Sequence, residues 1–378
     1  MGDNSLGYAF LCHQSACEVL RSQGIVFPRW PETPRLLPTR GGCIVGQRDF
    51  ARLAREVDFG ELGVYTTPVD ILVPNTQFRH KGKRVRTHPW SNLLVPSSLL
   101  RVHQNVLVSS PEFTLLLLAN VHVRQTQNID RSVDLHRAQS DALGQLGVAE
   151  EVPFEDFVAW AKIARQIEVA QIAMEFSGTY RLPVRPGGEA TYDVEPLTTV
   201  KRVQDFLDSI PPSNTYKHSS APKALSALLP WVLEGSRSPM ETMLSLLLTL
   251  PVECGGFGLP QPQLNVIPRK LQDRAFEADI LWEDAAVIVE YDSSEFHAGM
   301  GADKTDADIM RANSLRSMGY TVLEVTPGIA LDRRRVKTLA GQLERLLRVE
   351  HPEEDHVVQF RRTMLQQLFA GQRGRRDA

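Results

Sequence analysis

Apolar positions along the chain recur at helical or at strand spacing, and the changes between the two mark out its segments. In His13–Ile25, Ala16, Val19 and Leu20 fall on one side of a helix. Short apolar runs punctuated by proline and glycine follow, predicting strands over Gly42–Val45, Val69–Val73, Arg84–His88 and Asn105–Val108. Ser109–Asn120 opens with serine, Pro111 and Glu112, a helix-start signature, and its unbroken Leu115–Leu118 run predicts a helix buried in a core. Phe154–Phe176 carries Phe157, Trp160, Ala161, Ala164, Ile167 and Ala170 near helical spacing. Shorter helices are expected over Lys201–Leu207 and Pro222–Glu234, between breaks at Pro183 to Gly188 and at Pro211 to Asn214. Ser236–Pro251 predicts a helix capped by Ser238, Pro239 and Glu241, with Met243, Leu244, Leu247 and Leu248 on its apolar side.

The most informative pattern lies beyond that helix. Two apolar runs, Phe276–Trp282 and Val287–Tyr291, flank Glu283-Asp284-Ala285-Ala286, which reads as a tight antiparallel connection. A register with Ile280 opposite Val289 and Trp282 opposite Val287 sets Asp279 opposite Glu290 and Glu277 opposite Asp292. Side chains alternate along a strand, so one face is apolar and the other holds four carboxylates. Like charges facing each other destabilise a sheet, and a hard divalent cation such as Mg²⁺ would neutralise them. The alternative is a solvated face whose acids point at water. The apolar neighbours Leu281, Ile288 and Val289 suggest a strand covered on both sides, where bare acids are costly. A helix over Thr305–Ser317 follows, stopped by Gly319, then a strand over Tyr320–Val325 and a basic-starting helix over Leu331–Val349.

A chain of 378 residues exceeds what one compact core usually holds. The segments suggest a mixed α/β domain over 1–125, a mainly helical one over 126–235 and an αβββαβ unit over 236–350. Residues 351–378 add a C-terminal helix and a tail with Arg373, Arg375 and Arg376. The fold class expected is α/β (α+β). With 42% hydrophobic and 23% charged residues the composition is that of a globular protein and excludes wholesale disorder. A net charge of −3 leaves nucleic-acid binding to local basic patches rather than to a global field. One such patch is Arg79–His88, with Arg79, Lys81, Lys83, Arg84 and Arg86. It reads either as a phosphate-binding cluster or as a solvated basic hairpin. Cys12, Cys17, Cys43 and Cys254 lack metal-ligand spacing and are too few for a disulfide framework, which favours a cytoplasmic location. No apolar run approaches the roughly 20 residues that span a bilayer, and no membrane partner is expected.

Four stretches, SPMETMLSLLL, ADILW, VIVEYDSSEFH and DIMRANSLRSMGYTVLEVT, occur in an order that resembles the DUF559 group of restriction-endonuclease-like domains. That group is related to very-short-patch-repair endonucleases within the PD-(D/E)XK superfamily. The resemblance covers residues 236–350 and implies a metal-dependent phosphodiesterase acting on DNA with Mg²⁺ or Mn²⁺. By position it implies that Asp279 and Glu290 hold the metal and that Glu241 is the acid on the first helix. His297 then matches the histidine beyond the acidic element, and Asp308 and Arg311 match the start of the next helix. Asp292 stands where the superfamily has lysine and Ser293 where many relatives have glycine, so orienting the attacking water would fall to His297 or Lys304. His297 reads equally as a general acid or base and as a structural histidine. In the N-terminal half HQSACEVL, VDILVPN, KGKRVRTH and SSPEFTLLLLA resemble AbiEi-type transcriptional-regulator antitoxins, which implies DNA contact.

Three functions follow as expectations. The first is a Mg²⁺-dependent DNA endonuclease using Asp279, Glu290, Asp292, His297 and Glu241. The second is a DNA-binding regulator or antitoxin-like protein with an idle nuclease fold. The third is a partner-binding protein centred on the helical middle segment.

Overall fold

The computed structural model describes residues 7–22, 36–38, 42–119, 154–185, 187–211, 220–269, 277–292, 313–350 and 354–374. It is a mixed helix and sheet protein with three sheets among the described residues. Its contacts define two units. The first comprises Met1–Val121, Arg181–Thr191 and Pro196–Leu229; the second comprises His122–Tyr180, Tyr192–Glu195 and Pro230–Ala378. The segment 126–235, expected as one helical domain, is therefore shared between the two.

The first unit is built on a five-stranded mixed sheet. Its strands are β1 (Ala9–Leu11), β2 (Val69–Val73), β3 (Val85–Pro89), β4 (Leu99–His103) and β5 (Val106–Ser109), in the order β3-β2-β1-β5-β4. The central strands β1, β2 and β5 are wholly buried, as a strand covered on both faces requires. Helix α1 (His13–Arg21) leaves β1 after the single residue Cys12 and packs against β2. Helix α2 (Pro111–Ala119) is buried along its whole length, which accounts for its lack of a polar stripe. Gly42–Val45, expected as a strand, makes only a bridge from Cys43 to Tyr8.

In the second unit α3 (Phe154–Phe176) packs against α4 (Pro239–Thr249), which also meets the sheet. The Ser238 hydroxyl accepts the Glu241 amide at 3.1 Å and Pro239 occupies the first turn, so α4 begins where its capping signature predicts. The sheet follows as β6 (Gln263–Val266), β7 (Ala278–Trp282), β8 (Val287–Tyr291) and β9 (Thr321–Val325), in the order β9-β8-β7-β6. The first three pair antiparallel, while β9 lies parallel to β8. Residues 313–317, just before β9, are helical. Ala278, Leu281, Ile288, Leu315, Tyr320 and Val322 form one buried cluster. Each large aliphatic side chain in it contributes on the order of 2 kcal/mol. Helices α5 (Arg333–Leu347) and α6 (His356–Gly374) complete the unit, and α5 is capped by Asp332, whose carboxylate accepts two first-turn amides.

Behind α4, Gly255 has φ +89°, and a Cβ placed there would lie 2.6 Å from the Arg361 backbone. Arg362 is buried against this turn. It donates to Gly255 O at 3.2 Å and Gly256 O at 2.8 Å, and it lies over the Phe257 ring. By contrast, Gly341 inside α5 has ordinary space around it. Gly255→Ala should destabilise the protein by about 2 kcal/mol or more, since it adds a left-handed strain to a backbone clash. Gly341→Ala should stabilise it by about 0.5–1 kcal/mol. Urea melts of the two variants check both signs.

Candidate functional site

The β7–β8 ribbon carries the acids. Its paired residues are Trp282 with Val287, Leu281 with Ile288 and Ile280 with Val289, which is the register expected from the alternation. The connection closes with the Ala286 amide donating to Glu283 O at 3.0 Å, and Ala286 takes φ +52° to turn the chain. Just beyond the last paired residues, the Tyr291 amide donates to Asp279 Oδ2 at 2.7 Å. This bond ties the Asp279 side chain to the neighbouring strand. By alternation Asp279 lies on the face of Leu281, and Glu290 on the face of Ile288. Both are half-buried, and Oε1 of Glu290 is fully enclosed.

Glu241 comes to this region from α4. Its Oε2 accepts the Arg237 amide at 2.9 Å and the Asn265 side-chain amide at 2.6 Å. Burial pushes its carboxyl above the usual range; these hydrogen bonds oppose the rise, and the negative charge of Asp279 adds to it. Glu241, Asp279 and Glu290 do not bring three ligand atoms within 4.8 Å of one another; among the described residues only Cys12, His13 and His88 do so. The other two acids of the expected face have separate roles. Glu277 is paired with Arg237, and Asp292 is exposed, its amide donating to Val325 O at 2.9 Å. Asn265 was not anticipated from the sequence, and its one signal is an asparagine able to adopt φ +51° within a short strand. His297, Lys304, Asp308 and Arg311 lie outside the described residues.

The basic stretch in the first unit divides in two. Arg79, Lys81, Lys83 and Arg84 are exposed, on a turn closed by Gly82 N–H to Val85 O at 3.0 Å and Thr87 N–H to His80 O at 2.9 Å. Arg86 differs from the expectation of a phosphate ligand. It forks onto Asp70 with Nε at 2.5 Å and Nη2 at 2.9 Å, because the parallel pairing of β2 and β3 sets the two residues side by side.

Asp70 is the centre of a further cluster. It is 1% exposed, and besides Arg86 it binds His88 Nε2 at 2.7 Å. Burial alone would raise its carboxyl, but the hydrogen bonds from His88 and Arg86 outweigh that and hold it below the usual range. Ser15 Oγ accepts the Asp70 amide at 2.9 Å, and Cys12 N–H donates to Asp70 O at 3.0 Å. The His88 ring stacks on His13, with centroids 3.9 Å apart, and His13 Nδ1 lies 3.1 Å from Cys12 Sγ. The cysteines lack metal-ligand spacing along the chain, yet the fold brings Cys12 to two histidines. Ligand atoms of Cys12, His13 and His88 all lie within 4.8 Å of one another.

No protein-family model matches the chain, and no curated protein or solved structure matches it. Among the described residues no helix is long and apolar enough to cross a membrane.

The raised Glu241 carboxyl gives a pH dependence. An acid whose folded pKa exceeds its unfolded one contributes most stability below the unfolded value, near 4.5. That contribution falls as pH rises through the folded value. Glu241→Gln removes the ionisation and keeps an acceptor for Arg237 and Asn265. In chelator it should melt about 2 °C above the parent at pH 7, with the gap closing at pH 4. A variant that melts lower at pH 7 contradicts this.

Proposed function

We propose that this protein is a metal-dependent DNA endonuclease of the PD-(D/E)XK type, with Asp279 and Glu290 as its metal-binding pair. The observation that carries the reading is the β7–β8 register, with the Tyr291 amide tying Asp279 beside the strand that bears Glu290. The order helix, antiparallel three-strand meander, parallel fourth strand supports it, because the motif resemblance implies the same order. The donor set fits the implied ion, since carboxylate oxygens suit Mg²⁺ and Mn²⁺. When bound, such an ion polarises a phosphoryl oxygen and lowers the pKa of an adjacent water.

The chain's own residues divide the remaining work. Asp279 and Glu290 supply negative charge from two adjacent strands, so the site is rigid before substrate arrives. Glu241, held from α4 by the Arg237 and Asn265 amides, supplies a further carboxylate as an outer acceptor for a water. Hydrolysis places the water oxygen on phosphorus and breaks one phosphorus–oxygen ester bond; the water's proton passes to a base and the departing oxygen gains one. His297 is assigned the proton on the leaving side.

Purified protein should nick supercoiled plasmid in Mg²⁺ or Mn²⁺, and Asp279→Ala or Glu290→Gln should lower the rate at least about 100-fold. Nicking that survives both substitutions removes the proposal. A second reading, a DNA-binding regulator with an idle nuclease fold, draws on the exposed Arg79, Lys81, Lys83 and Arg84 and on Asp292 in place of lysine. Under it the protein shifts DNA in a gel without cutting it. In either case, replacing Lys81 and Lys83 together by alanine should flatten the plot of log affinity against log salt by roughly 2. An unchanged slope removes the turn from the interface.

A further inference from the structure

We infer that Cys12, His13 and His88 form a binding site for a borderline transition-metal dication of the Zn²⁺ class, separate from the acids of the second unit. One thiol and two imidazoles are a donor set for Zn²⁺ or Co²⁺; Mg²⁺ prefers oxygen. The three ligand atoms already lie within 4.8 Å of one another. Three protein ligands leave the fourth tetrahedral position to water or a substrate, as in sites that do chemistry.

The surroundings supply what such a site needs beyond its ligands. Histidines bound to metal commonly donate their second ring nitrogen to a carboxylate, which fixes the tautomer and the ring orientation. Asp70 stands 2.7 Å from His88 Nε2, so in the proposed site that nitrogen would face the carboxylate and Nδ1 would be offered to the metal. Asp70 is itself immobilised by the Arg86 fork and by Ser15. The local charges favour a cation as well. Arg86 offsets Asp70, so the Cys12 thiolate formed on binding is the net anion that meets the dication, and its proton leaves to solvent. His13 adopts φ +49°, an uncommon conformation for a residue other than glycine, and this aims it from the first position of α1 toward Cys12 and His88. Cys12 is fully buried while both histidines are partly exposed, so an ion would enter from the imidazole side.

A structural reading is the competitor: a small buried thiol under a stacked histidine pair, with Asp70 serving only Arg86 and His88. Cobalt separates the two. Full-length protein stripped with chelator and held in excess Mg²⁺, which occupies the acids of the second unit, should bind one Co²⁺ per chain, with a sulfur-to-cobalt charge-transfer band and tetrahedral ligand-field bands. Zn²⁺ should displace it. Cys12→Ser should abolish the charge-transfer band, and Asp70→Asn should weaken binding about 10–100-fold while keeping the stoichiometry. Asp279→Ala should leave the spectrum unchanged, so failure here and failure of the nuclease reading are distinguishable. Should Cys12→Ser not fold, X-ray absorption of the Zn²⁺-loaded parent decides the matter. One sulfur at about 2.3 Å with nitrogen neighbours supports the site. A shell of nitrogen and oxygen alone, no charge-transfer band in the parent, or a band that persists in folded Cys12→Ser overturns it.

Discussion

The hydrogen bond from the Tyr291 amide to Asp279 sits where a backbone ladder stops and a side chain takes over. Up to Ile280 and Val289 the two strands are joined by ordinary pairing. One step further the acceptor is a carboxylate oxygen at 2.7 Å. A charged acceptor makes this bond stronger than a neutral one, and it orients Asp279 at the end of the strand pair. Glu290 follows Val289 on the adjacent strand, so the ribbon's register decides whether the two acids share a face. A slip of one residue in β8 would send them to opposite sides, and it would also part Ile288 from Leu281 in the buried cluster they share.

Collecting acids at one sheet end has an electrostatic cost, and the fold meets it in several ways. Arg237 takes Glu277, and Asp292 lies at the exposed end of the strand. Glu241 responds by holding its proton more tightly under burial, opposed by its two hydrogen-bond donors and helped by the charge of Asp279. That leaves Asp279 and Glu290 as the ribbon pair a dication would address. The first unit solves a similar problem differently. Its buried Asp70 receives a guanidinium and an imidazole together, and ends below the usual carboxylate range.

Much of the second unit was legible because its signals are local. Ser238, Pro239 and Glu241 cap α4 within four residues, and the alternation in ADILW and VIVEY sets the hairpin register without distant contacts. The strand β6 was harder to read, since it is only 4 residues long and its one pairing partner is β7, further along the chain. The cluster around Asp70 had no local signature at all. Cys12 and His13 meet His88 only because β2 lies antiparallel to β1 and parallel to β3. No spacing rule for metal ligands spans such a separation. The same pairing withdrew Arg86 from the basic turn, where charge alone had grouped it with its exposed neighbours.

The central claim is that the acids of β7 and β8 act together on one hard cation. Electron paramagnetic resonance of Mn²⁺ titrated into the Cys12→Ser protein tests it directly, since that background removes the thiol site. One tightly held Mn²⁺ per chain is expected, lost with either Asp279→Asn or Glu290→Gln and displaced by excess Mg²⁺. Equal Mn²⁺ binding by the parent and both variants, or none by the parent, would contradict it.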